Sequence, residues 1–376
     1  MKKALYDLVY FTACGLNGII PEEKRIAEAD KEKLRKAAKV HGMSALVAEV
    51  LLSAGAEISA EWREAKDKAL RKVLLLDGER AKIFARFEAA GIWYLPLKGI
   101  LTKELYPKAG MREMSDNDIL FDRTKQAEVK KIMTELGYRT ESMDRGHHDV
   151  YMKAPVYNFE LHRDLVTEFH DVRLADYYSG IEDLLIPADG KIFGRRLSIE
   201  DNYVYNVVHE YKHSIEAGMG LRALADRYVY LKKYRGELDT EYIKTVCEKL
   251  GIGEFEEEGR LLAEKIFSSP NMPKLSEAET ALLERYLFCG LYGTNDRWAE
   301  NSLKKYKKRN GSFSKLGYIM SRVFPSMEFY KRYYPFFYKH KILLPFCWIY
   351  RVFRSFTVSR ERVGAELDAL ADTNKK

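Results

Sequence analysis

The chain has 376 residues, 46% hydrophobic and 12% aromatic, which is enough for two or three cores and too apolar for a disordered protein. No stretch reaches the roughly 18 apolar residues of a membrane span, so no transmembrane segment is expected. The net charge of +7 is uneven: from 304 to 360, fourteen Lys or Arg face one acid, Glu328, so this section carries +13 and the remainder −6.

Residues 1–90 are predicted to be helical throughout. The opening MKKALYDLVYFTACG looks like a signal peptide, but Asp7 breaks its apolar run and amphipathic spacing continues, so a retained helix is expected. PEEKRIAEADKEKLRKAAKVHG reads as one helix, with Pro and acids early, bases late and Gly at its end. SALVAEVLLSAG follows as a short apolar helix, and AEWREAKDKALRKVLLLDGERAKIFARFEAAG as one long helix. After Gly91 the texture changes. IWYLPL reads as a buried strand, Lys98-Gly99 as a strand-to-helix turn, ILTKELY as a short helix and SDNDILFD as a second strand. RTKQAEVKKIMTELG is a predicted helix; YRTESM and HDVYMK are a hairpin pair, with His147-His148 in a turn; YNFELHRD and KIFGRRL are further strands.

From Ser198, the start of a capping-box-like S-x-x-D, the chain reads as helical again. RWAENSLKKYKKRNGS reads as a mobile connection, and the last aromatic stretch as short helices broken at Pro335 and Pro345. The expected fold class is therefore α+β: an N-terminal helical segment 1–90, an α/β core with a mixed sheet at 91–197, and a larger C-terminal helical domain 198–376. The basic aromatic tail fits either a solvated cap over an aromatic core or a surface for an anionic partner such as nucleic acid or lipid headgroups. The cysteines Cys14, Cys247, Cys289 and Cys347 stand far apart without CxxC spacing, which fits free thiols in the cytoplasm.

Three carboxylates stand out in the core. Asp116 and Asp118, two apart in one predicted strand, project from the same face, and Glu160 lies in another strand. Hard oxygen donors of this kind grip divalent ions, and nucleotidyl transfer holds its phosphoryl centre between two ions about 4 Å apart. Glu160 also suits the deprotonation of an attacking group. Lys98 and Gly99 let the backbone approach a phosphate at the turn, Arg112 is placed to meet triphosphate charge, and Ser115 is grouped with them as a nucleotide-binding candidate. A DxD pair also fits a nucleotide-sugar glycosyltransferase, whose fold usually opens with strands instead of helices. His209, Glu210 and His213 spell HExxH, with the two His one turn apart as in zinc hydrolases. Lys212 inside that motif weighs against zinc, and Asp226 is the one candidate third ligand. His209 and His213 are instead expected to face the cleft, and His162 to support the acids or substrate or to sit at a sheet edge.

The order LKG…YP…R…SDNDILF…FELH resembles the polymerase-β-like nucleotidyltransferases, most of all a bacterial family described as uncharacterised nucleotidyltransferases. HEYKHSIEAGMGLRALAD and FPSMEFYKRYYPFFYKHKILLPFCWIYRVFR are similar to that family's helical and C-terminal patterns, so the likeness runs over roughly 70–354. It implies Mg²⁺- or Mn²⁺-dependent transfer of a nucleoside monophosphate from an NTP, ATP among them, to a small-molecule or protein acceptor. It also implies that Asp116, Asp118 and Glu160 are the metal-binding acids. Three features depart from the superfamily pattern: Ile100 follows Gly99 in place of Gly or Ser, the gap from Gly99 to Asp116 is long, and Asn117 replaces an apolar residue. The last predicts a less buried face. The alternative on the same scaffold is a non-catalytic nucleotide-binding or interaction module.

Overall fold

The computed structural model describes residues 1–142, 148–167, 171–290, 293–358 and 360–372. Five helices come first: α1 (Lys2–Asn17), α2 (Glu23–Glu28), α3 (Lys31–Val40), α4 (Ser44–Ser53) and α5 (Ala60–Ala89). The stretch expected to be one helix before Gly42 is two. Asp30 is extended and its carboxylate accepts from the Lys33 amide at 3.0 Å, so a local cap wins over continuation into α3. α5 is a single thirty-residue helix whose buried positions, Trp62, Ala69, Val73, Leu76, Ile83 and Phe87, recur at helical spacing.

The sheet follows: β1 (Tyr94–Pro96), α6 (Gly99–Thr102), β2 (Asn117–Phe121), α7 (Gln126–Glu135), β3 (Arg139–Ser142), β4 (His148–Lys153) and β5 (Tyr157–His162). The order is β1-β2-β5-β4-β3. β2 and β5 run parallel, and every other pair is antiparallel, so the sheet is mixed as the sequence implies. Alternation sorts its two faces. Ile119, Phe121, Phe159 and Leu161 pack on Leu76, Ile83 and Phe87 of α5 and on Val129 and Ile132 of α7. Leu95 and Leu120 point the other way, toward Tyr203, Val204 and Val207.

Those last three residues belong to the next helical run: α8 (Val172–Ser179), α9 (Ile199–Ser214), α10 (Leu221–Lys233), α11 (Thr240–Lys249), α12 (Gly253–Phe267) and α13 (Glu277–Cys289). KIFGRRL supplies only a two-residue strand, Arg195–Arg196, paired with Ile186–Pro187. The N-terminal helices do not stand alone. Leu8, Phe11, Leu46 and Val47 share one core with Leu221, Leu224, Leu262 and Leu283. His41, fully buried, ties the two sets together: its Nδ1 accepts from the Leu221 amide and its Nε2 donates to the Leu287 carbonyl, both at 3.1 Å.

Six more helices complete the described chain: α14 (Asn295–Asn310), α15 (Lys315–Val323), α16 (Met327–Tyr333), α17 (Pro335–Lys339), α18 (Leu344–Val358) and α19 (Arg360–Asp372). Residues 297–312, expected to be a mobile connection, lie in α14 as far as Asn310. Thr294 caps it by accepting from the Arg297 amide, and Ala299 and Leu303 give it a buried seam despite the charge of the rest. Pro335 does break the tail, as the first residue of α17, whereas Pro345 falls in the first turn of α18, where a proline costs no hydrogen bond. Among the described residues, no helix is long and apolar enough to cross a membrane.

Candidate active site

The parallel pairing of β2 with β5 sets Asp118 directly beside Glu160. Asp116 lies one residue ahead of β2 instead of within it, two positions before Asp118. His162, two residues after Glu160, shares the face, and the antiparallel neighbour β4 sets His148 opposite His162. The face looks into a cleft of about 1700 Å³ lined by all five residues and by Lys98, Gly99, Arg112 and Ser115. Every candidate core residue is thus gathered in one place. The opposite face explains Asn117. It is fully buried, contrary to expectation, because it points at α5, where Arg80 donates to its Oδ1 at 2.9 Å.

Asp118 is the most constrained acid. Lys98 Nζ donates to its Oδ1 at 2.9 Å and His162 Nε2 donates to the same oxygen at 2.7 Å. Burial works against its charge, yet Lys98 and His162 together hold the carboxyl well below its ordinary range. Burial also depresses the His162 imidazole, to about 4, so the ring is neutral with its proton on Nε2. The other two acids move the opposite way. Burial, then the charge of Asp118, raises Asp116; burial and the charges of Asp118 and Asp116 push Glu160 up to about 7. Three crowded carboxylates that resist joint ionisation are an oxygen donor set suited to a divalent cation. Imidazoles extend it: ligand atoms of His148, Glu160 and His162 all lie within 4.8 Å of one another, with His148 Nε2 3.4 Å from Glu160 Oε2. His148 is therefore a strand residue of the site and not part of a turn, while His147 lies outside the described residues.

Lys98 reaches Asp118 from a strained backbone. Its φ is +48°, the one positive value on a non-glycine residue among those described. Hydrogen bonds on both sides hold it: the Leu97 amide donates to the Asp118 carbonyl at 3.0 Å, and the Thr102 amide and hydroxyl both donate to the Lys98 carbonyl. Gly99 also has a packing task. A Cβ there would stand 2.6 Å from Arg112 Nη1 and 3.1 Å from the Met114 sulfur, so glycine makes room for the arginine. Arg112 in turn is not reserved for phosphate: its Nε and Nη2 both donate to Asp226 at 2.8 Å, and Tyr106 donates to the same carboxylate. Ser115 lines the cleft, and its carbonyl accepts from Lys72.

HExxH divides across α9. His209 and His213 line the cleft with their Nε2 atoms 3.1 Å apart. Glu210 turns into the protein, where Arg227 donates to it at 2.6 Å and Tyr286 at 2.9 Å. The base of a zinc hydrolase is thus committed to a buried ion pair, and Asp226 to Arg112. Two cations that no motif marks also line the cleft: Lys212, which in the sequence only weighs against zinc in HExxH, and Arg222, whose Nη1 donates to the Glu113 carbonyl at 3.1 Å. Both stand inside the HEYKHSIEAGMGLRALAD segment, which carried the signal without singling them out.

A mixed sheet that offers paired acids from neighbouring parallel strands, flanked by helices, is an α+β fold of the nucleotidyltransferase kind. The chain belongs to the family of uncharacterised nucleotidyltransferases, whose model matches residues 27–268. That makes it an enzyme that transfers phosphorus-containing groups. No curated protein and no solved structure matches the chain.

Proposed function

We propose that the chain transfers a nucleoside monophosphate from an NTP to an acceptor, with Asp116, Asp118 and Glu160 holding Mg²⁺ or Mn²⁺. The observation that carries this is the register of β2 and β5, which sets Asp118 beside Glu160, with Asp116 two positions before Asp118, at the wall of a cleft. Bound there, the cations would supply charge stabilisation to the phosphates and acidify the acceptor hydroxyl. Lys98 and His162 orient Asp118. Without a cation Glu160 is pushed up to about 7, so it loses its proton near neutral pH and is then free to serve as a ligand. Lys212 and Arg222, which also line the cleft, offer positive charge to the triphosphate, a role first assigned to Arg112. His209 and His213 are placed to meet nucleotide or acceptor. Four free, buried cysteines support a reducing compartment, and we place the enzyme in the cytoplasm.

The test is a thermal-shift panel of the four NTPs with and without Mg²⁺, paired with pyrophosphate release. A rise in melting temperature that needs both the cation and Asp118, tested with Asp118→Asn, is the expected result. A shift without pyrophosphate release toward any acceptor tried would favour a binding module. No shift at millimolar NTP would sink the nucleotide site.

A further inference from the structure

Helix α18 is built the wrong way round for a helix covering a core in water. Phe346, Ile349, Tyr350 and Phe353 recur at i, i+3, i+4 and i+7, a single stripe. That stripe faces solvent: Phe346 is 66%, Ile349 70% and Phe353 69% exposed, and Ile342 just before the helix is 89% exposed. One of the two arginines of the same helix, Arg351, faces inward, while Arg354 is exposed. Arg351 donates to the carbonyls of Val323 and Arg322 at 3.1 Å, and its guanidinium lies 4.7 Å from the ring centre of Phe329. Cys347, on that inner side, is fully buried. α15, packed against α18, repeats the pattern, with Leu316, Ile319 and Met320 exposed and Tyr318 buried.

We propose that the outer face of α15 and α18 docks on the surface of an anionic phospholipid bilayer. Charge complementarity selects this occupant. Residues 304–360 carry +13, and exposed Lys339, Lys341 and Arg354 flank the apolar stripe. Anionic headgroups attract such clusters while acyl chains take up the apolar side chains. A second copy would set +13 against +13. A nucleic acid would satisfy the lysines and leave the isoleucines in water. At fifteen residues α18 is too short to span a bilayer, so it lies in the interface. The same helical cap borders the cleft through Lys305, Arg309 and Phe324, so a docked surface lies at the edge of the candidate site.

Sedimentation of the full chain with vesicles tests this, using phosphatidylcholine alone and an equimolar mixture with phosphatidylglycerol. We expect partition onto the mixed vesicles at least tenfold above the neutral ones, weakened by salt. Phe346→Ser with Ile349→Ser and Phe353→Ser, and separately Lys339→Glu with Lys341→Glu, should each lower it at least tenfold. Both variants change exposed side chains, so melting temperature and the NTP-induced shift should stay at wild-type values. Equal binding to both vesicles, or wild-type binding by either variant, overturns the proposal. So does a wild-type dimer that the triple variant disperses with no vesicle binding, or RNA binding lost only in the lysine variant with no vesicle binding. None of these outcomes depends on nucleotide transfer.

Discussion

Asp116 and Asp118 are one motif in sequence and two different residues in space. Asp116 is a carboxylate whose charge is opposed by burial and by its neighbour. Asp118 is a carboxylate on which two buried groups depend. Replacing either should abolish transfer, but stability should split. Asp116→Asn relieves repulsion and should raise the melting temperature of the metal-free protein. Asp118→Ala strands Lys98 and His162 and should cost about 3 kcal/mol in urea unfolding. Equal effects on stability would mean that the Lys98–Asp118–His162 cluster is not formed. Glu160 sets a pH signature. Between about pH 4.5 and 7 the folded chain keeps a proton on Glu160 that the unfolded chain releases. The folded state therefore loses stability relative to Glu160→Gln as pH rises through that window. Mn²⁺ affinity, read by calorimetry, should rise through the same window, because the cation needs the deprotonated form.

α9 brings Lys212, His209 and His213 to the cleft, and its first turn decides how firmly it does so. Ser198 accepts from the Asp201 amide at 2.9 Å and donates to the Asp201 carboxylate. Ser198→Ala should cost about 1 kcal/mol of stability, measured by denaturant midpoint. That cap was legible in the sequence, as were the strands that carry Asp118 and Glu160, because period-two alternation and S-x-x-D are local signals. What was not legible was set by partners distant in sequence. HExxH spelled a zinc motif that Lys212 weighed against, but nothing local showed that Arg227 and Tyr286 claim Glu210 from other helices. Arg112 looked free for phosphate until Asp226 arrived across 114 positions. The charge of residues 297–312 read as mobility, because a seam of only Ala299 and Leu303 is too thin to show as periodicity.

The chain is closed on itself by His41, a residue with no motif around it. Its two hydrogen bonds reach 180 and 246 positions along the sequence. Burial holds its imidazole at about 4, so the folded state takes up no proton there while the unfolded chain does so below about 6.5. The stability this residue contributes is complete above 6.5 and is lost as pH falls toward 4, by about 3 kcal/mol. His41→Ala should cost about 2–4 kcal/mol at neutral pH and flatten the acid limb of the stability curve. An unchanged acid limb would show that His41 is already charged in the native state. The core that His41 staples also imposes a schedule. Leu8 and Phe11 leave the ribosome long before Leu262 and Leu283, against which they pack. At about 5–20 residues per second, that is a wait of roughly 10–50 s in which only α3 and α4 cover the first helix. For that interval the first helix is a client for chaperones, and synonymous codons that slow the middle of the message should lower the yield of soluble protein without altering a single residue.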